Sequence, residues 1–179
     1  MPDEAAGRRG LKRAPALIPL SRDHHFALIH ALGLRRAAAA AAADAPHVAA
    51  TARAFLAFYE DELRGHFSDE EETLLPLLEE GMDEAVARVR AEHVALHALA
   101  AALKAALAED ADLRPTLQSL GDALHDHVRF EERVAFEAVQ EHLSAAALDA
   151  LGLSLVAHRE ARGRGEGCLI VPPVLFSKR

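Results

Sequence analysis

The chain has 179 residues, a formal charge of −8 and 51% apolar residues, enough for one domain with a buried core but without the basic surface that nucleic acid or an anionic membrane would require. Only 4% of residues are aromatic, Trp is missing, and Ala and Leu dominate the apolar set, which favours helices over strands. A single cysteine, Cys168, excludes an intrachain disulfide framework and a thiolate metal site, so any metal is bound by nitrogen and oxygen.

Residues 1–19 form a basic lead without the long apolar stretch of a signal peptide. We find no apolar run of about 18 residues suited to a membrane span, so a soluble, cytoplasmic protein is expected. Ser21 and Asp23 stand where a helix cap and first turn belong, ahead of an Ala/Leu-rich helix to about Ala43. Asp44-Ala45-Pro46 breaks it, and a second helix follows from about His47 to Glu80, ended or kinked by Pro76 near Leu75. A third helix is expected over Asp83 to Ala108 and a fourth over Arg114 to Gln140, separated by an acidic turn. Four such helices with short loops make an all-α, up-down-up-down four-helix bundle over residues 20–143. Residues 144–160 read as a short extra helix and Arg162 to Gly167 as a linker. The apolar, Pro-broken tail from Cys168 to Phe176 is expected to pack on the bundle or on another copy of the chain, which gives a route to a homo-oligomer.

The chemistry lies in a repeated pattern. His66-x-x-x-Glu70-Glu71 returns as His127-x-x-x-Glu131-Glu132, with His93-x-x-x-His97 between the copies. Residues four apart on a helix are offset by about 40° and lie about 6 Å apart, so each pair can meet one point in space. The pairs also lie on apolar stripes. On the second helix the stripe is Tyr59, Leu63, His66, Glu70, Leu74 and Leu77, and on the third Val86, Val89, His93, Leu96, His97, Ala100 and Leu103. On the fourth it is Leu120, Leu124, His127, Glu131 and Val134, so Glu70 and Glu131 are preferred over Glu71 and Glu132.

The first helix offers His24, His25 and His30. Matching His24-His25-Phe26-Ala27-Leu28 to Glu92-His93-Val94-Ala95-Leu96 aligns His25 with His93, and His25, Leu28, Ile29 and Leu32 form the more apolar stripe. His25 is therefore chosen, with His24 as the alternative, and the chain reads as two copies of one helical hairpin. Buried His and Glu without partners would be costly, and a metal removes that cost. A solvated face would explain an EE pair alone, and hydrogen-bonded structural roles suffice for His30, His47, His125, His142 and His158. Tyr59 reads as core packing with its hydroxyl on a partner, or as a residue beside the metal pocket.

Seven ligands, His25, His66, Glu70, His93, His97, His127 and Glu131, exceed what one ion accepts, so two metals are expected. With a bridging oxo or hydroxo group they would leave about one open position on two octahedral irons, suited to a small diatomic ligand.

These residues resemble the hemerythrin-like, or HHE cation-binding, family over residues 20–143. The matching features are Asp23-His24-His25, His66-x-x-x-Glu70-Glu71 with Leu75-Pro76, Glu92-His93-x-x-x-His97, and His127-x-x-x-Glu131-Glu132 with Phe136. The resemblance implies a left-handed four-helix bundle with a non-haem di-iron centre that binds, or reacts with, dioxygen or related small ligands. Oxygen-carrying hemerythrins have an Asp five residues after the fourth-helix His, where this chain has Glu132, and Glu131 stands four after. The expected function is binding or sensing of a small ligand (dioxygen, nitric oxide or peroxide) rather than enzymic turnover. A di-iron oxidase or peroxide-consuming enzyme is the rival, and an iron- or oxygen-responsive regulatory module acting through the tail is a third reading. Ferritin-like oxidases call for Glu-x-x-His pairs, whereas the order here is His-x-x-x-Glu.

Overall fold

A computed structural model describes residues 12–41, 44–78 and 81–163, and among these only helices and their connections occur. Helix α1, Ile18–Ala38, follows a 3₁₀ turn at Pro15–Leu17. It starts before Ser21, because Pro19 falls in the first turn, where its missing N–H breaks no helical bond. Helix α2 runs over 45–77 as Ala45–Phe58, a π-turn at Tyr59–Leu63, Arg64–Asp69, a second π-turn at Glu70–Leu74 and a closing 3₁₀ turn at Leu75–Leu77 that holds Pro76. Helix α3, Asp83–Ala108, is regular throughout and begins with two acidic residues that complement its dipole. Helix α4 covers 114–142, as Arg114–Phe130, a π-turn at Glu131–Ala135 and Phe136–His142. Helix α5, Ala145–Ala161, is capped by Ser144, whose hydroxyl accepts from the Ala147 N–H at 3.2 Å.

Two apolar clusters give the chain directions. One holds Leu17 of the leading 3₁₀ turn and Leu20 from the start of α1, Leu74 and Leu75 from the end of α2, Val86 and Val89 from the start of α3, and Phe136 and Val139 from the end of α4. The other holds Leu34, Phe55, Leu103 and Leu117 from the opposite ends. The helices therefore alternate up, down, up and down. Leu151 and Leu155 of α5 join the first cluster, so the expected extra helix packs against the bundle. The linker and apolar tail, with Cys168, lie outside the described residues from 164 onward.

Small residues set the tightest seam. A Cβ on Gly121 of α4 would stand 2.9 Å from the Ala31 carbonyl oxygen of α1, and Ala27 and Ala31 are both buried. Arg35 ties the same two helices through Asp122 at 2.6 Å.

The π-turns correct two stripes. An i→i+5 turn rotates the residues beyond it by about one position, or about 100°, relative to an α-helix. Leu77 and Val134, expected inside, are 41% and 40% exposed, while Leu75, Leu78, Ala135 and Phe136 are buried instead. Helix α3 also departs from expectation in composition. Its most apolar 18-residue stretch has a mean hydropathy of 1.2, long and apolar enough by those measures alone to cross a membrane. Alanine supplies much of that value, and the helix places Val86, Val89, Leu96 and Leu103 in the two bundle clusters.

Candidate metal centre

Between the two apolar clusters lies a polar layer. Along α1, His24 separates Leu20 from Ala27; along α2, His66 and Glu70 lie between Leu63 and Leu74; along α3, His93 lies between Val89 and Leu96; along α4, His127 and Glu131 lie between Leu124 and Ala135. All six polar residues are buried. Their ligand atoms gather in two groups, His24, His66, Glu70 and Glu131 in one, and Glu70, His93, His127 and Glu131 in the other, with the atoms of each group within 4.8 Å of one another. Glu70 and Glu131 are common to both.

Glu70 Oε1 faces His66 Nε2 at 3.1 Å and His24 Nε2 at 3.5 Å, while its Oε2 faces His93 Nε2 at 3.3 Å. Glu131 Oε2 lies 3.0 Å from His24 Nε2 and 3.1 Å from His127 Nε2. Each Glu opens a π-turn, at Glu70–Leu74 and at Glu131–Ala135, so the two His-x-x-x-Glu pairs share a local backbone as well as a sequence.

The other ring nitrogens are held by a second tier of carboxylates. His66 Nδ1 donates to Asp23 at 3.2 Å, His93 Nδ1 to Glu71 at 2.7 Å, His127 Nδ1 to Glu92 at 3.0 Å and His24 Nδ1 to Glu132 at 2.7 Å. Each helix thus gives one carboxylate to the histidine of the next, from α1 to α2, α2 to α3, α3 to α4 and α4 back to α1. An ionised carboxylate only accepts, so each Nδ1 carries the proton and each Nε2 is left facing the centre, the tautomer a metal ligand needs. Stacking fixes two of the rings further, His93 on Phe67 at 4.1 Å and His24 on Phe136 at 5.1 Å between centroids.

Electrostatics bind the cluster together even as protons. Burial works against a charged His66, but Glu70 and Asp23 hold its pKa at about 9. Burial likewise opposes a charged His24, yet Glu131, Glu132 and Glu70 raise it well above the usual imidazole range. Glu70 would be raised by burial and is instead held well below the carboxylate range by His66, His24 and His93. Burial opposes ionisation of Glu132 too, but His24, Ser21 and Arg13 bring it to about 2.

The donor set fits a metal. His24, His66, His93 and His127 each leave Nε2 buried without a hydrogen bond, and so do both oxygens of Glu70 and of Glu131. Eight such atoms converge on one space, where short His–Glu ion contacts are their only partners and no hydrogen bond fixes their direction. Imidazole nitrogens and carboxylate oxygens directed at a shared point are cation ligands.

Of the seven residues expected from sequence, His66, Glu70, His93, His127 and Glu131 are brought together, whereas His25 and His97 fall in neither group. His24 occupies the place given to His25, which is exposed. The buried face of α1 is Leu20, His24, Ala27, Ala31 and Leu34, and Leu32 of the expected stripe is 48% exposed. Alanine carries little weight in an apolar stripe, yet at the Gly121 seam only a small residue fits. His97 is half-buried, and the Tyr59 hydroxyl lies 2.7 Å from its Nδ1. Burial and the neighbouring His93 lower its pKa. The outer carboxylates Asp23, Glu71, Glu92 and Glu132 had no place in the expected site, although the sequence contains their signal. Asp23-His24 and Glu92-His93 are the matching dipeptides, and aligning on the acidic residue selects His24. His30, His142 and His158 have structural partners: His30 stacks on Phe58 at 4.1 Å, His142 Nδ1 meets the Ala138 carbonyl at 2.9 Å, and His158 Nδ1 meets Asp69 at 3.0 Å.

A family model described as the hemerythrin HHE cation binding domain matches residues 17–139, well over half of the 179 residues. No curated protein and no solved structure matches the chain.

Proposed function

Given that this chain belongs to the hemerythrin HHE cation-binding domain family, we propose that it is a non-haem di-iron protein that binds or senses a small ligand, with dioxygen first and nitric oxide or peroxide as related candidates. The observation that carries this reading is the pair of two-histidine groups sharing Glu70 and Glu131. His24 and His66 would hold one ion, His93 and His127 the other, and the two glutamates would serve both. Such a nitrogen and oxygen donor set suits iron among the first-row metals. Bound iron would supply reversible redox change and an open position for a small ligand.

The chain's own residues prepare the ligands. Asp23, Glu71, Glu92 and Glu132 hold the proton on each Nδ1, which keeps Nε2 available and makes it a stronger donor. Phe67 and Phe136, stacked on His93 and His24, exclude water from the imidazole faces. With two histidines and two shared glutamates, each ion would retain coordination positions for a small ligand.

Metal analysis of the full chain from iron-replete cells, joined to visible spectra before and after oxygen exposure, tests the proposal. Two irons per chain and an oxygen-dependent visible band are expected. One iron or none, or a spectrum indifferent to oxygen and to nitric oxide, overturns it.

A further inference from the structure

Helix α5 lies outside the ring of four, yet its last turns reach the centre's outer carboxylates. Arg159 Nη2 donates to Asp23 Oδ2 at 2.6 Å, the same oxygen that receives His66 Nδ1 at 3.2 Å. Arg159 Nε donates to Asp69 Oδ2 at 2.8 Å, and Asp69, fully buried on α2, directly precedes Glu70. Arg162 and His158 complete the anchor. Arg162 bonds Asp69 and the Gly65 carbonyl, whereas His158 meets Asp69 and Glu72. One guanidinium thus bridges α5, the Asp69 anchor and the carboxylate that orients a candidate ligand.

The planar fork of arginine suits this task. It meets Asp23 and Asp69 with two separate nitrogens at short range, so the position of one carboxylate is fixed by the other. The Asp23 side chain is 13% exposed on α1, so its carboxylate borders water and Arg159 fixes it from the α5 side. A carboxylate that swings away ceases to hold the His66 proton on Nδ1, and Nε2 then loses its aim at Glu70. Apart from His66, whose ring it orients, Asp23 meets only Arg159 as a cationic partner among the contacts of the described residues, while Glu132 is met by Arg13 from the lead and Glu92 by Arg88 of its own helix.

We propose that Arg159 is a positioning residue for His66, acting through Asp23, and that docking of α5 and metal loading at the His24/His66 group are therefore linked. The inference rests on the two-metal reading above and extends it. Linkage is reciprocal: whatever factor the docked helix adds to metal affinity, the bound metal adds to docking.

Competition of ferrous iron against a chromophoric chelator, under anaerobic conditions on the full chain, reads both affinities. Arg159→Met is expected to weaken one of two sites by about tenfold, the lower end for partners behind a ligand, and to leave the other unchanged. Arg159→Lys should recover part of the loss, and Arg162→Gln, which loosens the same helix at Asp69 but has no contact to Asp23, should cost clearly less than Arg159→Met. An unchanged Arg159→Met, or an equal loss in Arg162→Gln, overturns the inference. A second measurement needs no variant: cleavage of the unmutated chain within α5 by a dilute protease should slow on iron loading, and an unchanged rate counts against the link. If the unmutated chain itself takes up fewer than two ions, the two-metal reading fails first and this inference falls with it.

Discussion

At the scale of the residue, the six buried candidate ligands are chosen by which face of each helix turns inward, not by which histidine has the most apolar neighbours. His24 and His25 are adjacent, and rotation of about 100° separates a ligand from a surface side chain. His24→Ala should therefore lose at least one metal, and His25→Ala should retain both, by metal analysis of the purified variants. Protons compete for the same nitrogens. His66 is raised to about 9 in the folded metal-free chain, and His24 and His93 are raised as well, although burial alone would lower all three. Metal uptake at neutral pH must displace those protons, so it should acidify a weakly buffered solution. Apparent affinity should keep rising with pH toward about 9, instead of levelling off near the ordinary imidazole value, and chelator competition across that range checks it. A plateau by pH 7 would contradict the raised His66.

At the scale of the element, π-turns and small residues carry what a regular helical wheel does not contain. Up to His66 and His127 the expected stripe residues are buried, on α2 even across the π-turn at Tyr59–Leu63. Beyond Glu70 and Glu131 the wider turns carry Leu77 and Val134 to the surface and bring Leu75 and Phe136 inside. The α1–α4 seam depends on Gly121. Alanine there would gain roughly 1 kcal/mol of helix propensity but would press a Cβ to 2.9 Å from the Ala31 carbonyl oxygen, a contact that only a backbone shift relieves. Overpacking of this kind costs about 1–3 kcal/mol, so Gly121→Ala should be destabilising by about 1 kcal/mol net, measured by denaturant unfolding of the metal-free protein. Because Ala31 and His24 share one face of α1, the same variant should also weaken metal binding.

At the scale of the whole molecule, a polar layer divides one core into two apolar clusters, and that layer is the natural weak point of the metal-free fold. A ligand that binds only the folded state stabilises it by mass action, so iron should raise the melting temperature and a chelator should reverse the change. His66 adds a pH dependence. Its folded pKa of about 9 lies above the unfolded value of about 6.5, so its contribution to the metal-free fold is complete below about pH 6.5 and is lost as pH rises through 9. The gap in melting temperature between loaded and stripped protein should therefore widen between pH 6.5 and 9, by scanning calorimetry. A gap that narrows over that range would show that the metal does not replace those protons.

The sequence by itself determined the all-α bundle, its four main helices, the family resemblance and five of the six clustered His and Glu side chains, because a helix imposes a fixed angular spacing on His-x-x-x-Glu wherever it forms. Only the tertiary structure decided His24 over His25, set His97 beside Tyr59, and closed Asp23, Glu71, Glu92 and Glu132 into a ring around the histidines. Those outcomes depend on how closely α1 approaches α4 at Gly121, on the extra residue held in each π-turn, and on contacts between helices far apart in the chain. Periodicity along one helix contains none of these quantities.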